Sequence, residues 1–219
     1  MTLFRLDTSI RTDGSVSRQV ADSLQRAYVG QHPDATVVYR DVTADPIPAD
    51  VWSAAALGGY VPADQRTPAQ NDAAALATTL ADELLAADAV VISTALFNFG
   101  VSQHLKTWID LLIADPRFGP GTTPLAGRPV TLVVARGGGY GPGTPRAGWD
   151  HATPYLLRIL ADVWGAEVTL IEAELTLAST VPAMAELIPL AQASQSQAHD
   201  RARETGAAYA QLTATSTAA

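Results

Sequence analysis

The chain has 219 residues, 47% of them hydrophobic, and a formal net charge of −8 at pH 7, which suits one domain with a sizeable buried core. It contains no cysteine, which excludes disulfides, thiolate nucleophiles and cysteine-ligated metal sites, so redox chemistry would need an organic cofactor. A negative charge without a basic cluster argues against nucleic acid and anionic membrane surfaces as partners.

Apolar, β-branched runs alternate with helical patterns along the whole chain, which is typical of parallel βαβ units. The runs predict strands at residues 3–7, 36–41, 89–95, 129–135 and 167–173. The helical patterns predict helices at residues 15–29, 68–86, 101–113, 153–164 and roughly 182–210. We therefore expect one α/β domain over residues 1–219, with a doubly wound five-stranded parallel sheet and helices on both faces.

Three segments qualify this pattern. Residues 45–67 hold several prolines and glycines together with Trp52 and Tyr60, and predict a long excursion that is either functional or disordered. Thr67-Pro68-Ala69-Gln70 has the form of a capping box that begins a helix. Residues 191–219 are rich in Ala, Gln, Ser and Thr, so we expect a helix that frays at its end.

Nothing in the sequence predicts membrane insertion or export. No run of eighteen or more apolar residues occurs, and residues 1–7 do not form a basic, apolar leader. We expect a cytoplasmic protein.

A loop rich in hydroxyl groups follows the first predicted strand. Ser9, Arg11, Ser15 and Ser17 offer hydroxyl donors and one guanidinium beside a helix N-terminus, which suits a phosphate monoester. The loop lacks both GxxxxGK[ST] and GxGxxG, which disfavours a triphosphatase and a classical dinucleotide fold. The alternative is that the serines only cap the helix.

Two further loops follow the third and fourth predicted strands. Leu96-Phe97-Asn98-Phe99 places aromatic rings at a strand's carboxyl end, where open α/β sheets bind ligands. Arg136 to Gly143 is rich in glycine, which lets backbone amides approach a planar ligand or leaves a mobile loop tip. In a doubly wound sheet these loops would meet the serine loop at one edge.

The order and spacing of these motifs resemble the FMN-dependent NADH azoreductases, a branch of the flavodoxin-like quinone reductases. That family shows S-x-R-x-x-x-S-x-S, then P-x-Y/F-N-F with L-K-x-W/Y-x-D, then x-R-G-G. The corresponding segments here are Ser9-Ile10-Arg11 with Ser15-Val16-Ser17, Leu96-Phe97-Asn98-Phe99 with Leu105-Lys106-Thr107-Trp108-Ile109-Asp110, and Ala135-Arg136-Gly137-Gly138.

The resemblance implies a flavodoxin-like fold, noncovalent FMN and a homodimer with flavin sites at its interface. It implies ping-pong chemistry, in which NADH or NADPH reduces the flavin and a quinone-like or azo acceptor reoxidises it. No side chain is expected to be an essential acid or base, and no metal is expected. The implied FMN-binding residues are Ser9, Arg11, Ser15, Val16, Ser17, Leu96, Phe97, Asn98, Phe99, Ala135, Arg136, Gly137 and Gly138.

The chain departs from the family pattern where the acceptor would bind. Ala95 replaces the usual proline, Pro116 replaces one of two aromatic residues near Phe118, and Gly139-Tyr140 replaces a bulky residue and histidine. We predict a substrate pocket lined by Trp52, Tyr60, Phe118 and Tyr140. The departures leave two other functions open: an FMN-dependent biosynthetic step on an aromatic intermediate, and a flavodoxin-like electron carrier.

Overall fold

The structure is a computed structural model that describes residues 1–217, and the side chains of residues 1–212. Its centre is a five-stranded parallel sheet, as predicted, and its strand order is β2-β1-β3-β4-β5. The strands are β1 (Thr2–Asp7), β2 (Thr36–Asp41), β3 (Ala89–Ala95), β4 (Pro129–Ala135) and β5 (Glu167–Ala173). The central strand β3 is buried along nearly its whole length, because helices cover both faces of the sheet.

Six α-helices are described: α1 (Val16–Gln31), α2 (Ala49–Gly58), α3 (Pro68–Leu85), α4 (Gln103–Ile113), α5 (Thr153–Leu157) and α6 (Ile188–Thr217). Residues of α3 and α4, including the fully buried Trp108, form the core on one face of the sheet. Residues of α1 and α6 form the core on the other face. Gly206 lets these two helices meet, because a Cβ there would overlap the carbonyl oxygen of Leu24.

Side-chain caps decide where three of the helices begin. The hydroxyls of Ser15 and Ser102 accept from backbone amides, so α1 begins at Val16 and α4 begins at Gln103, slightly later than predicted. The predicted capping box of Thr67 and Gln70 is present at the start of α3.

The excursion over residues 45–67 is more regular than predicted. It contains α2 and a 3₁₀ turn, Ala63–Gln65, neither of which the sequence predicted. The reason is that α2 has no side-chain cap at Pro48 and packs through small residues such as Ala55. Without a cap or a clear apolar stripe, the sequence carries little local signal for this helix.

Two other predicted helices are present but are not α-helical along their whole length. Residues 153–164 begin as α5 and continue as a π-helix, Arg158–Val163. The segment predicted at 182–210 begins as a 3₁₀ helix, Pro182–Leu187, before α6. The predicted fraying concerns the last residues, and positions 218 and 219 lie outside the described part of the chain.

Candidate functional site

A cavity of about 220 Å³ lies at the carboxyl ends of β1, β3 and β4. The chain turns to opposite sides of the sheet at the boundary between β1 and β3, which is where open α/β sheets bind ligands. The serine loop, the aromatic loop and the glycine loop meet here. The cavity is lined by Ser9, Ile10, Arg11, Ser15, Val16, Ser17, Ala95, Leu96, Phe97, Ala135, Gly137, Thr176 and Leu177.

At one end of the cavity, the serine hydroxyl donors outnumber the hydrogen-bond acceptors that the protein offers them. Ser15 and Ser17 are almost completely buried, and their Oγ atoms lie 3.3 Å apart, sharing one hydrogen bond. Ser15 Oγ also accepts from the backbone N–H of Arg18. Whichever serine donates to the other, the second O–H has no acceptor among the side chains and backbone of residues 1–212. Arg11 lies beside them, is exposed and forms no ion pair within residues 1–212.

A buried carboxylate, Asp7, organises the polar residues behind this end. It is 1% exposed and accepts from Arg5 at 3.1 and 2.9 Å, from Ser93 at 2.7 Å and from Tyr39 at 3.0 Å. Burial and the Asp7 carboxylate raise the pKa of Tyr39 to about 12, so its hydroxyl keeps its proton and donates.

Arg18 connects this network to the serine loop. Its guanidinium donates to the Ser9 carbonyl at 2.8 Å, to Asp41 at 2.5 Å and to Thr43 at 3.0 Å. Burial opposes ionisation of Asp41, but hydrogen bonds from Arg18 and Thr43 outweigh it and hold the Asp41 pKa well below its usual range. The loop backbone is therefore held by charge-assisted hydrogen bonds.

The aromatic loop is a tight turn that reverses the chain after β3. The backbone groups of Phe97 and Gly100 exchange two hydrogen bonds of 3.1 and 2.9 Å. Asn98 and Phe99 have φ angles of 48° and 67°, and positive φ at both central residues is required by type I′ turns. A left-handed conformation at a bulky residue such as Phe99 costs about 1–3 kcal/mol. Asn98 and Phe99 do not line the cavity.

Residues of the glycine loop and of the segment that follows it contact the Phe99 ring. Its centroid lies 5.5 Å from that of Trp149 and 6.4 Å from that of Tyr140, both edge-on, and the Arg146 guanidinium lies 6.0 Å away. The Phe99 carbonyl accepts from the backbone N–H of His151 at 2.9 Å. These contacts compensate for the backbone conformation and join the two loops.

The side chain of Arg136, one of the predicted flavin-binding residues, is engaged by other residues of the protein. Its side chain is only 8% exposed and pairs with three carboxylates, those of Asp150 (2.6 Å), Glu174 (3.2 Å) and Glu172. It also donates to Thr153. The guanidinium is therefore committed within the protein, and only the backbone of Arg136 remains for a ligand. Neither Arg136 nor Gly138 lines the cavity.

The segment after β5 completes the cavity, and sequence reasoning missed it. Thr176 donates to the Arg136 carbonyl at 3.0 Å, and Leu177 donates to the Gly137 carbonyl at 3.2 Å. A Cβ on Gly137 would lie 2.7 Å from Leu177 Cδ1, so the glycine makes room for this leucine. Apolar and hydroxyl residues in a loop after the last strand carry no chemical signature that would reveal them.

The predicted substrate-pocket residues are separated. Trp52 and Tyr60 are 46% and 89% exposed on and just after α2, and neither lines the cavity. Tyr140 lies beside Phe99. Phe118 is 1% exposed and packs edge-on against Trp164 at 5.1 Å, so its prediction as a pocket residue was wrong. The predicted flavin-binding residues that line the cavity are Ser9, Arg11, Ser15, Val16, Ser17, Leu96, Phe97, Ala135 and Gly137.

Among residues 1–217, no helix is long and apolar enough to cross a bilayer.

A family model described as "Flavodoxin-like fold" matches residues 1–203. The chain belongs to this family. It is 40% identical over 203 residues to an FMN-dependent NADH:quinone oxidoreductase of Streptomyces avermitilis, covering 92% of this chain and 93% of the relative. It is 38% identical over 204 residues to a protein of the same name from Frankia casuarinae, covering 92% and 96%.

Two solved structures share the fold. An azoreductase from Bacillus anthracis strain Sterne superposes with a TM-score of 0.76 at 21% identity, covering 94% of this chain and 99% of that one. An FMN-dependent NADH-azoreductase from Bacillus anthracis strain Ames Ancestor, in complex with FMN, gives 0.74 at 17% identity, covering 94% and 100%. At these identities the likeness concerns the fold alone.

Proposed function

We propose that the chain is an FMN-dependent NADH:quinone oxidoreductase that reduces quinones, azo compounds or both. The observation that carries this proposal is a cavity at the sheet's switch point that has serine hydroxyls and Arg11 at one end and apolar walls at the other. The names of the relatives at 40% and 38% identity agree with it. The donor is proposed to be NADH, with NADPH as the alternative.

The hydroxyl end fits a ribityl phosphate. The unshared O–H of the pair Ser15 and Ser17, the hydroxyl of Ser9 and the guanidinium of Arg11 would donate to its oxygens. The N-terminus of α1 adds a positive partial charge at the same place. Together these groups provide donors for a dianion without a metal.

The other end fits a planar ring. Leu96, Phe97, Ala135 and Leu177 provide apolar walls, and Gly137 keeps the backbone accessible between them. When bound, the flavin supplies the capacity to accept a hydride and pass reducing equivalents to an acceptor. Arg11 is the one ionisable residue in the cavity lining, so the protein's part is to position, desolvate and orient rather than to transfer a proton.

The proposal includes a homodimer and a cytoplasmic location, where reduced nicotinamides are available. Trp52, Leu57 and Tyr60 are exposed large side chains on and just after α2, and apolar surface of this kind favours a protein partner. In a dimer this segment would extend over the partner's cavity, which would give Trp52 and Tyr60 their predicted role at a substrate.

An anaerobic absorbance experiment tests the proposal. Purified protein is mixed with FMN, then with NADH, then with a benzoquinone. We expect a bound flavin that bleaches with NADH and recovers with the quinone. Bound flavin that NADH does not reduce would favour an electron carrier. Reduction by NADH without reoxidation by quinones or azo compounds would favour a dedicated biosynthetic step, and no binding would reject the proposal.

A pair of variants connects the activity to the cavity. Arg11→Ala should weaken FMN binding by about tenfold, because it removes a charge-assisted hydrogen bond to the phosphate. Arg201→Ala is the matched control, since Arg201 is also exposed and lies on α6, outside the cavity. Equal affinities for FMN in the two variants would contradict the assignment of Arg11.

A further inference from the structure

We propose that Arg18 is a positioning residue that makes the serine loop selective for a phosphorylated flavin over its dephosphorylated form. The serine loop is the segment from Ser9 to Ser17. This inference rests on the proposed function and concerns the phosphate end of the same cavity. Arg18 does not line the cavity, so it acts through the loop and does not touch the phosphate itself.

Arg18 binds the serine loop at two points that lie six residues apart. Its Nη2 donates to the Ser9 carbonyl at 2.8 Å, and its backbone N–H donates to Ser15 Oγ at 3.5 Å. The Thr43 hydroxyl supports the first contact, because its oxygen lies 3.0 Å from both Arg18 Nη2 and the Ser9 carbonyl oxygen. One residue therefore ties both ends of the segment that contains Arg11.

The loop held in this way presents serine hydroxyls to the cavity. Ser9 and Ser15 are each 4% exposed, and both line the cavity. Ser9 Oγ accepts from the backbone N–H of Arg11 at 3.3 Å, which leaves its own O–H to donate to a ligand. A hydrogen bond weakens steeply as its angle departs from the optimum. The affinity for a phosphate therefore depends on how firmly these serines are placed.

Neutralisation of Asp7 does not explain the position of Arg18. Arg5 already binds this carboxylate through two hydrogen bonds of 3.1 and 2.9 Å, whereas Arg18 approaches it only to 3.3 Å. The shortest contacts of Arg18 are to Asp41, at 2.5 Å, and to the Ser9 carbonyl. Its Nε is buried without a hydrogen-bond partner among residues 1–212, which costs free energy. Its Nη contacts, which join the serine loop to the end of β2, account for this placement.

Riboflavin provides the comparison that isolates this role. FMN and riboflavin share the isoalloxazine ring and the ribityl chain, and they differ in the phosphate. Because Arg18 positions the donors to that phosphate, its loss should weaken FMN binding and leave riboflavin binding nearly unchanged. A general loosening of the cavity would weaken the binding of both flavins.

Fluorescence titration of each flavin into the flavin-free protein measures both affinities without NADH. Arg18→Gln should weaken FMN binding by about tenfold or more and riboflavin binding by less than about twofold. Arg18→Lys keeps the charge but lacks the planar fork that binds the Ser9 carbonyl and Asp41 together, so it should recover only part of the loss. Arg40→Gln is the matched control, because Arg40 is also mostly buried in an ion pair, with Glu83, and should change neither affinity.

Two further variants separate position from charge. Arg18→Gln combined with Asp41→Asn removes one cation and one anion, so the net charge is unchanged, and FMN binding should stay weak. Thr43→Val removes no charge and should weaken FMN binding by about threefold, which keeps the test decisive if loss of Arg18 prevents folding. Recovery of FMN binding in the double variant would overturn the proposal, and so would equal losses of FMN and riboflavin affinity in Arg18→Gln.

The titration also distinguishes this inference from the proposed function. A protein that binds FMN in an Arg18-dependent way, but whose flavin NADH does not reduce, would reject the proposed function and keep the inference. A protein whose flavin NADH reduces, but whose FMN affinity does not depend on Arg18, would keep the function and reject the inference. Absence of FMN binding by the wild-type protein would reject both.

Discussion

The serine loop after β1 and the aromatic turn after β3 are stabilised in different ways. The serine loop is backed by a buried ionic network, in which Asp7 and Arg18 hold the backbone of Ser9 through charge-assisted hydrogen bonds. The turn at Phe99 is held by rings that remain partly exposed. A phosphate always presents the same charge and shape, so fixed donors suit it. Under the proposed function an acceptor varies in shape, and packing between partly exposed rings beside the cavity can adjust to it.

Removing Asp7 should have the largest effect on the free energy of unfolding, because this buried carboxylate is shared by Arg5 and Arg18. Asp7→Ala leaves Arg5 and Arg18 buried without their shared carboxylate, which should cost about 3–5 kcal/mol of unfolding free energy. Urea denaturation measures this. The control is Asp22→Ala. The Asp22 carboxylate also pairs with Arg5 but is 47% exposed, so its removal should lower the unfolding free energy by less than about 1 kcal/mol. Similar losses for both variants would show that the ionic network around Asp7 does not stabilise the serine loop.

Arg136→Met should give the second-largest loss of stability. It leaves three carboxylates without their cation, but Glu172 and Glu174 are 38% and 26% exposed and can be hydrated. We therefore expect the unfolding free energy to fall by about 2–3 kcal/mol, which urea denaturation measures. Arg158→Met, in an exposed pair with Asp162, should change stability by less than about 0.5 kcal/mol. A loss no larger than in this control would contradict the structural role assigned to Arg136.

The pH dependence of stability should reveal Asp41. Its pKa is lower in the folded protein than the unfolded value of about 3.9, so the folded state is favoured above that pH. Below about pH 4 the unfolded chain binds the proton first, and stability falls by at most about 1.4 kcal/mol per pH unit from this group. Asp41→Asn should make the curve between about pH 3 and pH 5 shallower.

The control for this measurement is Asp34→Asn at an exposed site. Stability is followed by urea denaturation across the acidic range, so the comparison uses slopes rather than absolute stabilities. Parallel curves for wild type and Asp41→Asn would mean that Arg18 and Thr43 do not stabilise this carboxylate.

Variants at Phe99 should show the smallest effect on stability, and here the usual preference for alanine over glycine should be reversed. Phe99→Gly and Phe99→Ala remove the same ring, but only glycine accepts a φ of 67° without strain. The glycine variant should be more stable than the alanine variant by about 1 kcal/mol. At Tyr60, which has no positive φ, glycine should be no more stable than alanine. If alanine is preferred at both positions, the turn at Phe99 is not strained.

The regular elements follow from local signals. The bounds of four strands agree with the predicted ones, because parallel strands buried on both faces require uninterrupted apolar runs. The start of α3 follows from Thr67 and Gln70, whose side chains bond to the helix that they begin. By contrast, α2 begins after Pro48 with no side-chain cap, and its helical state depends on packing against α3 and α4 rather than on its own residues.

The sequence alone therefore determined the five strands, the helices other than α2, and the three loops that converge at one sheet edge. Only the tertiary structure decided what the individual side chains do there. It commits Arg136 to three carboxylates from distant segments, buries Phe118 against Trp164, and places Leu177 over Gly137. Hydrophobic periodicity and caps act over a few residues, whereas these pairings depend on which chain segments the fold brings into contact.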